Sequence, residues 1–190
     1  MKKVLLFSLL SLFCITNLVA GNPVTVKSGN ISVLKTPSKA LLEIDYSATK
    51  VGKQPLDEYL KGRGDDFVRD WPRESVTAAS YFNSTFNKKS KGMKLTTDES
   101  AASYMILIRV KYLDMGNPGS FFVTMAVGGS VKAGGVIMSG TVEIIDLVTK
   151  VPVCVLYVDE VKGESYPNDA IRMGMMYSEL ALKICKLKQK

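Results

Sequence analysis

The sequence predicts an α+β domain: a mixed or antiparallel sheet of four to five strands with two helices packed on one face, in the order strand, helix, strand, strand, strand, helix. Three observations carry this. Residues 104–113, 136–147 and 151–161 read as strands, the first with Tyr104, Ile106, Ile108 and Val110 on one face and Met105, Leu107, Arg109 and Lys111 on the other. Residues 73–89 and 170–187 carry apolar side chains at helical spacing. The 190-residue chain is 46% hydrophobic and 23% charged, enough to bury one core and too apolar for general disorder.

Met1, Lys2 and Lys3 form a positive start, residues 4–15 an apolar run, and Leu18, Val19, Ala20 and Gly21 a small-residue cleavage region. This is the pattern of a secretory signal peptide, so residues 1–21 are expected to be removed and 22–190 to form a single domain, periplasmic or secreted. A lipid anchor on Cys14 is disfavoured because Phe13 stands where a small residue is required. A retained span is disfavoured because the run falls short of about 18 residues.

Residues 22–37 read as a short strand or extended arm, and 41–46 as the first core strand, with Leu42, Ile44 and Tyr46 alternating against Leu41, Glu43 and Asp45. Residues 54–72 are polar and interrupted by Gly62, Gly64 and Pro72, which suggests one or two helical turns. Asp65, Asp66 and Asp70 there could ligate a hard cation, but the Asp-x-Asp-x-Asp-Gly spacing of a calcium loop is absent. Neighbouring Arg63, Arg69 and Arg73 make a solvated, ion-paired surface the better expectation.

The first long helix is expected over 73–89, with a stripe of Val76, Ala79, Phe82 and Phe86 and a stop at Gly92. The second and third of the three strands are joined by a short turn at Val148, Thr149 and Lys150, an antiparallel hairpin. Tyr166 to Asp169 supplies turn and cap residues for the closing helix, whose stripe is Met173, Tyr177, Leu180, Ile184 and Leu187. Glu179 and Lys183 lie one turn apart and should pair, and the methionines of this helix read as core filling.

The chain has no histidine, which removes serine-histidine triads, cysteine-histidine dyads and histidine metal ligands together. No metal or cofactor is expected. The formal charge of +7 is modest, and its lysine clusters at 88–94 and 183–190 sit at helix ends, where cations complement the macrodipole. Nucleic-acid binding is therefore not expected. A small carboxylate-dependent enzyme acting on an envelope or polysaccharide substrate remains the alternative, with Asp159, Glu160 and Glu164 as its nearest acidic group. In a regular strand Asp159 and Glu160 point to opposite faces, which argues against them as a catalytic pair.

The connection over 116–135 is too apolar and too long for an idle turn. Its Phe121, Phe122, Val123, Met125 and Val127 are the candidate contact for a protein partner or for self-association. The same residues suit one more strand of the sheet equally well. Removal of Cys14 would leave Cys154 and Cys185, either paired in an oxidising compartment or both buried and free.

Over 40–187 the order of elements resembles the periplasmic domain shared by curli-secretion-channel-like outer-membrane lipoproteins, itself similar to the amino-terminal domain of TolB. The residues that carry the likeness are 101–110 after the first helix, the glycine-rich stretch 128–135, and Asp146 with Thr149 at the hairpin turn, where Lys150 replaces a glycine. The resemblance implies an envelope protein that binds or assembles, and it implies no catalytic residue.

Overall fold

The computed structural model describes residues 22–116 and 134–188. Its elements in chain order are β1 (Val24–Gly29), a 3-10 turn (Ile31–Lys35), β2 (Lys39–Asp45), β3 (Lys50–Val51), β4 (Gln54–Pro55), α1 (Leu56–Arg63) and α2 (Asp65–Lys89). Then follow β5 (Lys94–Leu95), a second 3-10 turn (Glu99–Ala101), β6 (Tyr104–Asp114), β7 (Ile137–Asp146), β8 (Pro152–Lys162) and α3 (Asp169–Cys185). The fold is α+β, with an eight-stranded mixed sheet in place of the expected four to five strands. The main order is β1-β8-β7-β6-β2-β5, with β3 beside the far end of β6 and β4 beside β3.

The three long strands stand where the alternation put them, and β6, β7 and β8 pair antiparallel. The first core strand instead runs parallel to β6, in register from Ala40 and Tyr104 to Asp45 and Arg109. Parallel neighbours need a long crossover, and here α1 and α2 supply it. Between β7 and β8, the Asp146 carboxylate accepts from the backbone N–H groups of Val148 and Thr149, both at 2.9 Å. Lys150 then closes the turn at φ 61, a left-handed conformation that a glycine would take without strain.

The first long helix begins eight residues earlier than expected. After Gly64 breaks the chain at φ 119, α2 runs for 25 residues straight through Pro72. It ends at Ser90, whose N–H bonds the Phe86 carbonyl, not at Gly92. Gly92 serves close approach instead, since a Cβ there would sit 2.2 Å from the Lys35 backbone. The buried stripe is Ala78, Phe82 and Phe86, continued by half-buried Trp71, and Val76 is 71% exposed. Phe82 and Phe86 hold the helix over the sheet, so the face one residue away from them on which Val76 lies turns to solvent.

α3 buries Met173, Tyr177, Leu180 and Ile184 as expected, with Met176 and Ala181 beside them. Asn168 caps it by accepting from the Ile171 N–H at 3.0 Å, and Glu179 and Lys183 pair at 3.1 Å. Gly174 lets α2 come close, because a Cβ there would lie 2.6 Å from the Tyr81 ring. The two helices share one core with Ile106, Ile108 and Val110 of β6, Val142 and Ile144 of β7, and Cys154, Leu156 and Val158 of β8. Cys154 and Cys185 are both free thiols.

Candidate functional site

The sequence-derived contact residues Phe121, Phe122, Val123, Met125 and Val127 lie outside the described residues. Their flanks are placed. The β6–β7 ladder continues to Asp114 and Ile137, and beyond it a Cβ on Gly116 would sit 2.0 Å from the Gly134 carbonyl oxygen. A Cβ on Gly135 would meet the Gly163 carbonyl at 1.9 Å, and one on Gly163 the Met176 N–H at 2.4 Å. These glycines are used for backbone against backbone: the ends of β6, β7 and β8 are stacked on α3 at one place.

The acidic candidates do not converge on a cleft. Asp159, Glu160 and Glu164 are all exposed, and none of them lines the cavity or the open groove described below, or the groove between β1 and the end of α3. The premise that Asp159 and Glu160 occupy a regular strand also fails. Val158 pairs with Gly140 and Val161 with Met138, so two residues of β8 stand opposite Ser139 alone. Glu160 takes φ 51 in this bulge, and its N–H bonds the Ser139 hydroxyl at 3.1 Å. Of the three aspartates weighed for metal binding, Asp66 and Asp70 pair with Arg69, at 2.7 and 3.3 Å, while Asp70 also reaches Arg73. Arg63 turns elsewhere: its guanidinium lies 3.8 Å over the Phe67 ring and bonds Asp169 at the start of α3.

That pairing joins a buried charge. Asp169 also accepts from Arg172 at 2.6 Å, and Arg172 is 1% exposed with its Nε and Nη1 unpartnered. Near the other end of β2, the Tyr46 and Tyr177 hydroxyls meet at 2.6 Å, with Trp71 edge-on to Tyr46 at 5.3 Å. At the carboxyl ends of α2 and α3 a cavity of about 280 Å³ is lined by Ile31, Leu34, Phe86, Ile184 and Leu187, with Lys35, Lys89 and Lys91 at its rim.

The surface with the widest chemistry is the sheet face turned away from the helices. Because successive strand residues alternate, the register aligns Leu41, Met105 and Ile145 in one row, Glu43, Leu107, Glu143 and Val155 in the next, and Asp45, Arg109, Thr141 and Tyr157 in the third. No described element lies over this face. Its centre is held by Arg109, which donates to Asp45 at 2.8 Å and to Glu143 at 3.1 Å. Hydrogen bonds from Ser47, then from Arg109, hold the Asp45 carboxyl below its usual range. Leu107 is 5% exposed yet stands apart from the main core cluster, and Tyr157 is 47% exposed.

The same face continues around the edge of β2. Lys94 N–H bonds the Ser38 carbonyl and Thr96 N–H the Ala40 carbonyl, both at 2.9 Å, whereas Ser103 N–H bonds Lys39. Even-numbered residues of β2 therefore direct their backbone groups away from β6. β5 ends at Leu95, so Leu42 and Ile44 present N–H and C=O groups outward along an edge that no described strand pairs. Beside this edge runs an open groove of about 570 Å³, lined by Leu41, Leu42, Val76, Ala79 and Met105 with Glu43 and Glu99. Sequence reasoning found the β2 pattern and missed the edge, because pairing partners leave no local signal.

No protein-family model matches the chain, and no curated protein matches it in sequence. In fold, the chain is similar to a PelC dodecamer from Paraburkholderia phytofirmans, at 14% identity over 83% of this chain and 96% of that one, with a TM-score of 0.43. A single-substitution form of the same PelC matches at 13% identity over 87% and 98%, again with a TM-score of 0.43. Among the described residues no helix is long and apolar enough to cross a membrane.

Proposed function

We propose that this protein is a non-enzymatic binding and assembly module of a bacterial cell envelope, exported by the leader in residues 1–21 and associating through the uncovered face of its sheet. The observation that carries the reading is that Leu41, Met105, Ile145, Val155 and Tyr157 place apolar surface on adjacent strands with no described element above them. Such a patch, rimmed by charge, marks an association surface. The Asp45–Arg109–Glu143 network within it offers directional polar contacts beside the apolar ones. The signal-peptide pattern and the likeness of 40–187 to envelope assembly domains support the same reading.

Light scattering on residues 22–190 tests it. Concentration-dependent association is expected, and Met105→Lys and Ile145→Lys should abolish it while leaving the unfolding free energy within about 1 kcal/mol, as for half-exposed positions. A chain that stays monomeric, or variants that associate as the parent does, would overturn the reading.

A further inference from the structure

We infer that the free edge of β2 captures an extended basic peptide as an added strand. The inference rests on the reading of the protein as a binding module and names the site and the partner class. Leu42 and Ile44 offer paired backbone donors and acceptors in the spacing a strand requires, and β5 already shows that a strand fits there at Lys39 and Ala40. Beyond Ala40 the free edge covers Leu41 to Asp45, which at about 3.3 Å per residue accepts roughly five residues. An incoming strand alternates as β2 does. Side chains opposite Leu42 and Ile44 turn toward the helix layer, against Val76 and Ala79, and the side chain opposite Glu43 turns to the other face.

Charge selects the occupant. Glu43 and Glu99 line the groove and no cation does. A symmetric pairing of two β2 edges centred on this stretch would set Glu43 directly against its own copy, a destabilising arrangement. The opposite margin of the sheet is closed to strand addition by different means: the Asn22 side chain accepts from the outward N–H of Val24, and a bulge follows between Val26 and Ser28. One edge is blunted and the other is left open beside an acidic, apolar-floored groove. That combination fits a peptide with apolar residues at alternate positions and lysine or arginine between them.

The test uses residues 22–190 and three fluorescent probes: a Val-Lys-Val-Lys-Val peptide, its Val-Glu-Val-Glu-Val counterpart, and the basic peptide N-methylated at alternate residues. Fluorescence anisotropy should show the basic peptide binding at least about tenfold more tightly than the acidic one, with binding lost on N-methylation. The double variant Glu43→Lys with Glu99→Lys should reverse the charge preference, and hydrogen exchange at the Leu42 and Ile44 amides should slow when the basic peptide is added. Equal binding of the two charge forms, or unchanged exchange at both amides, overturns the inference. If the peptide fails while Ile145→Lys still abolishes association, the edge site falls and the sheet-face reading stands; if the peptide binds and Ile145→Lys changes nothing, the reverse holds.

Discussion

The hydroxyl of Tyr46, just past the end of β2, lies 2.6 Å from the hydroxyl of Tyr177 in the middle of α3. Each is the other's hydrogen-bond partner across the sheet–helix interface, and the fully buried Tyr177 hydroxyl would be an orphan without it. Tyr46→Phe or Tyr177→Phe alone should destabilise the fold by about 1 to 3 kcal/mol, whereas the double replacement should cost less than the sum, because no unsatisfied oxygen is left. Denaturant titration of the four proteins gives the cycle, and additive losses would contradict the pairing.

The same pair sets an alkaline limit. Burial pushes the Tyr46 phenol up to about 12, against a pull from the Tyr177 hydroxyl, and burial raises Tyr177 well above 10. The folded chain keeps these protons while the unfolded chain releases them from about pH 10. Their contribution is therefore full below pH 10 and falls as pH rises from about 10 toward 12. The Tyr46→Phe, Tyr177→Phe double variant should lose less stability over that window than the parent does, measured by thermal melts at matched ionic strength.

Asp169 stands between Arg63 and Arg172, and only Arg172 is fully buried. Removing the shared carboxylate with Asp169→Ala leaves that guanidinium uncompensated and should cost about 3 to 5 kcal/mol. Arg172→Met removes the buried cation together with its unpartnered Nε and Nη1 and should be nearly neutral or stabilising. An Asp169→Ala loss below about 1 kcal/mol would contradict this asymmetry.

Lys150 holds a left-handed backbone at the β7–β8 turn. Lys150→Gly should remove strain of about 1 kcal/mol and raise Tm by roughly 2 to 4 °C, with no change at the sheet face. A lowered Tm would show that the lysine side chain contributes more than its backbone costs.

Burial pushes the Cys185 thiol up to about 11 and raises that of Cys154. At pH 8 the native chain should present about a hundredfold fewer Cys185 thiolates than an ordinary thiol would, and react correspondingly slowly with a disulfide reagent. After denaturation without reductant, both thiols should titrate. Finding none would mean that the two had paired.

The strands of the hairpin and the stripe of α3 were legible because long alternation and a regular series such as Met173, Tyr177, Leu180 and Ile184 leave only one face to bury. α2 is half legible: the spacing of Phe82 and Phe86 marks its buried face, but Pro72 and the polar residues before it conceal eight helical residues, and Val76 falls at stripe spacing yet is displaced to solvent. β3, β4 and β5 are two residues each and carry no period to read. The parallel register of β2 on β6, and with it the unpaired edge at Leu42 and Ile44, arises only when the α1–α2 crossover sets two distant segments side by side. Glu99 joins Glu43 in the groove for the same reason.

Gly116 meets Gly134, Gly135 meets Gly163, and Gly163 meets Met176, so the two ends of the 117–133 connection are fastened together irrespective of what lies between them. The ladder from Tyr104–Asp146 to Asp114–Ile137 carries the adhesion of the two parts of the chain. The protein is thus divisible at this point: residues 22–116 and 134–190, made as separate polypeptides, contain complementary halves of one sheet and should reassemble on mixing.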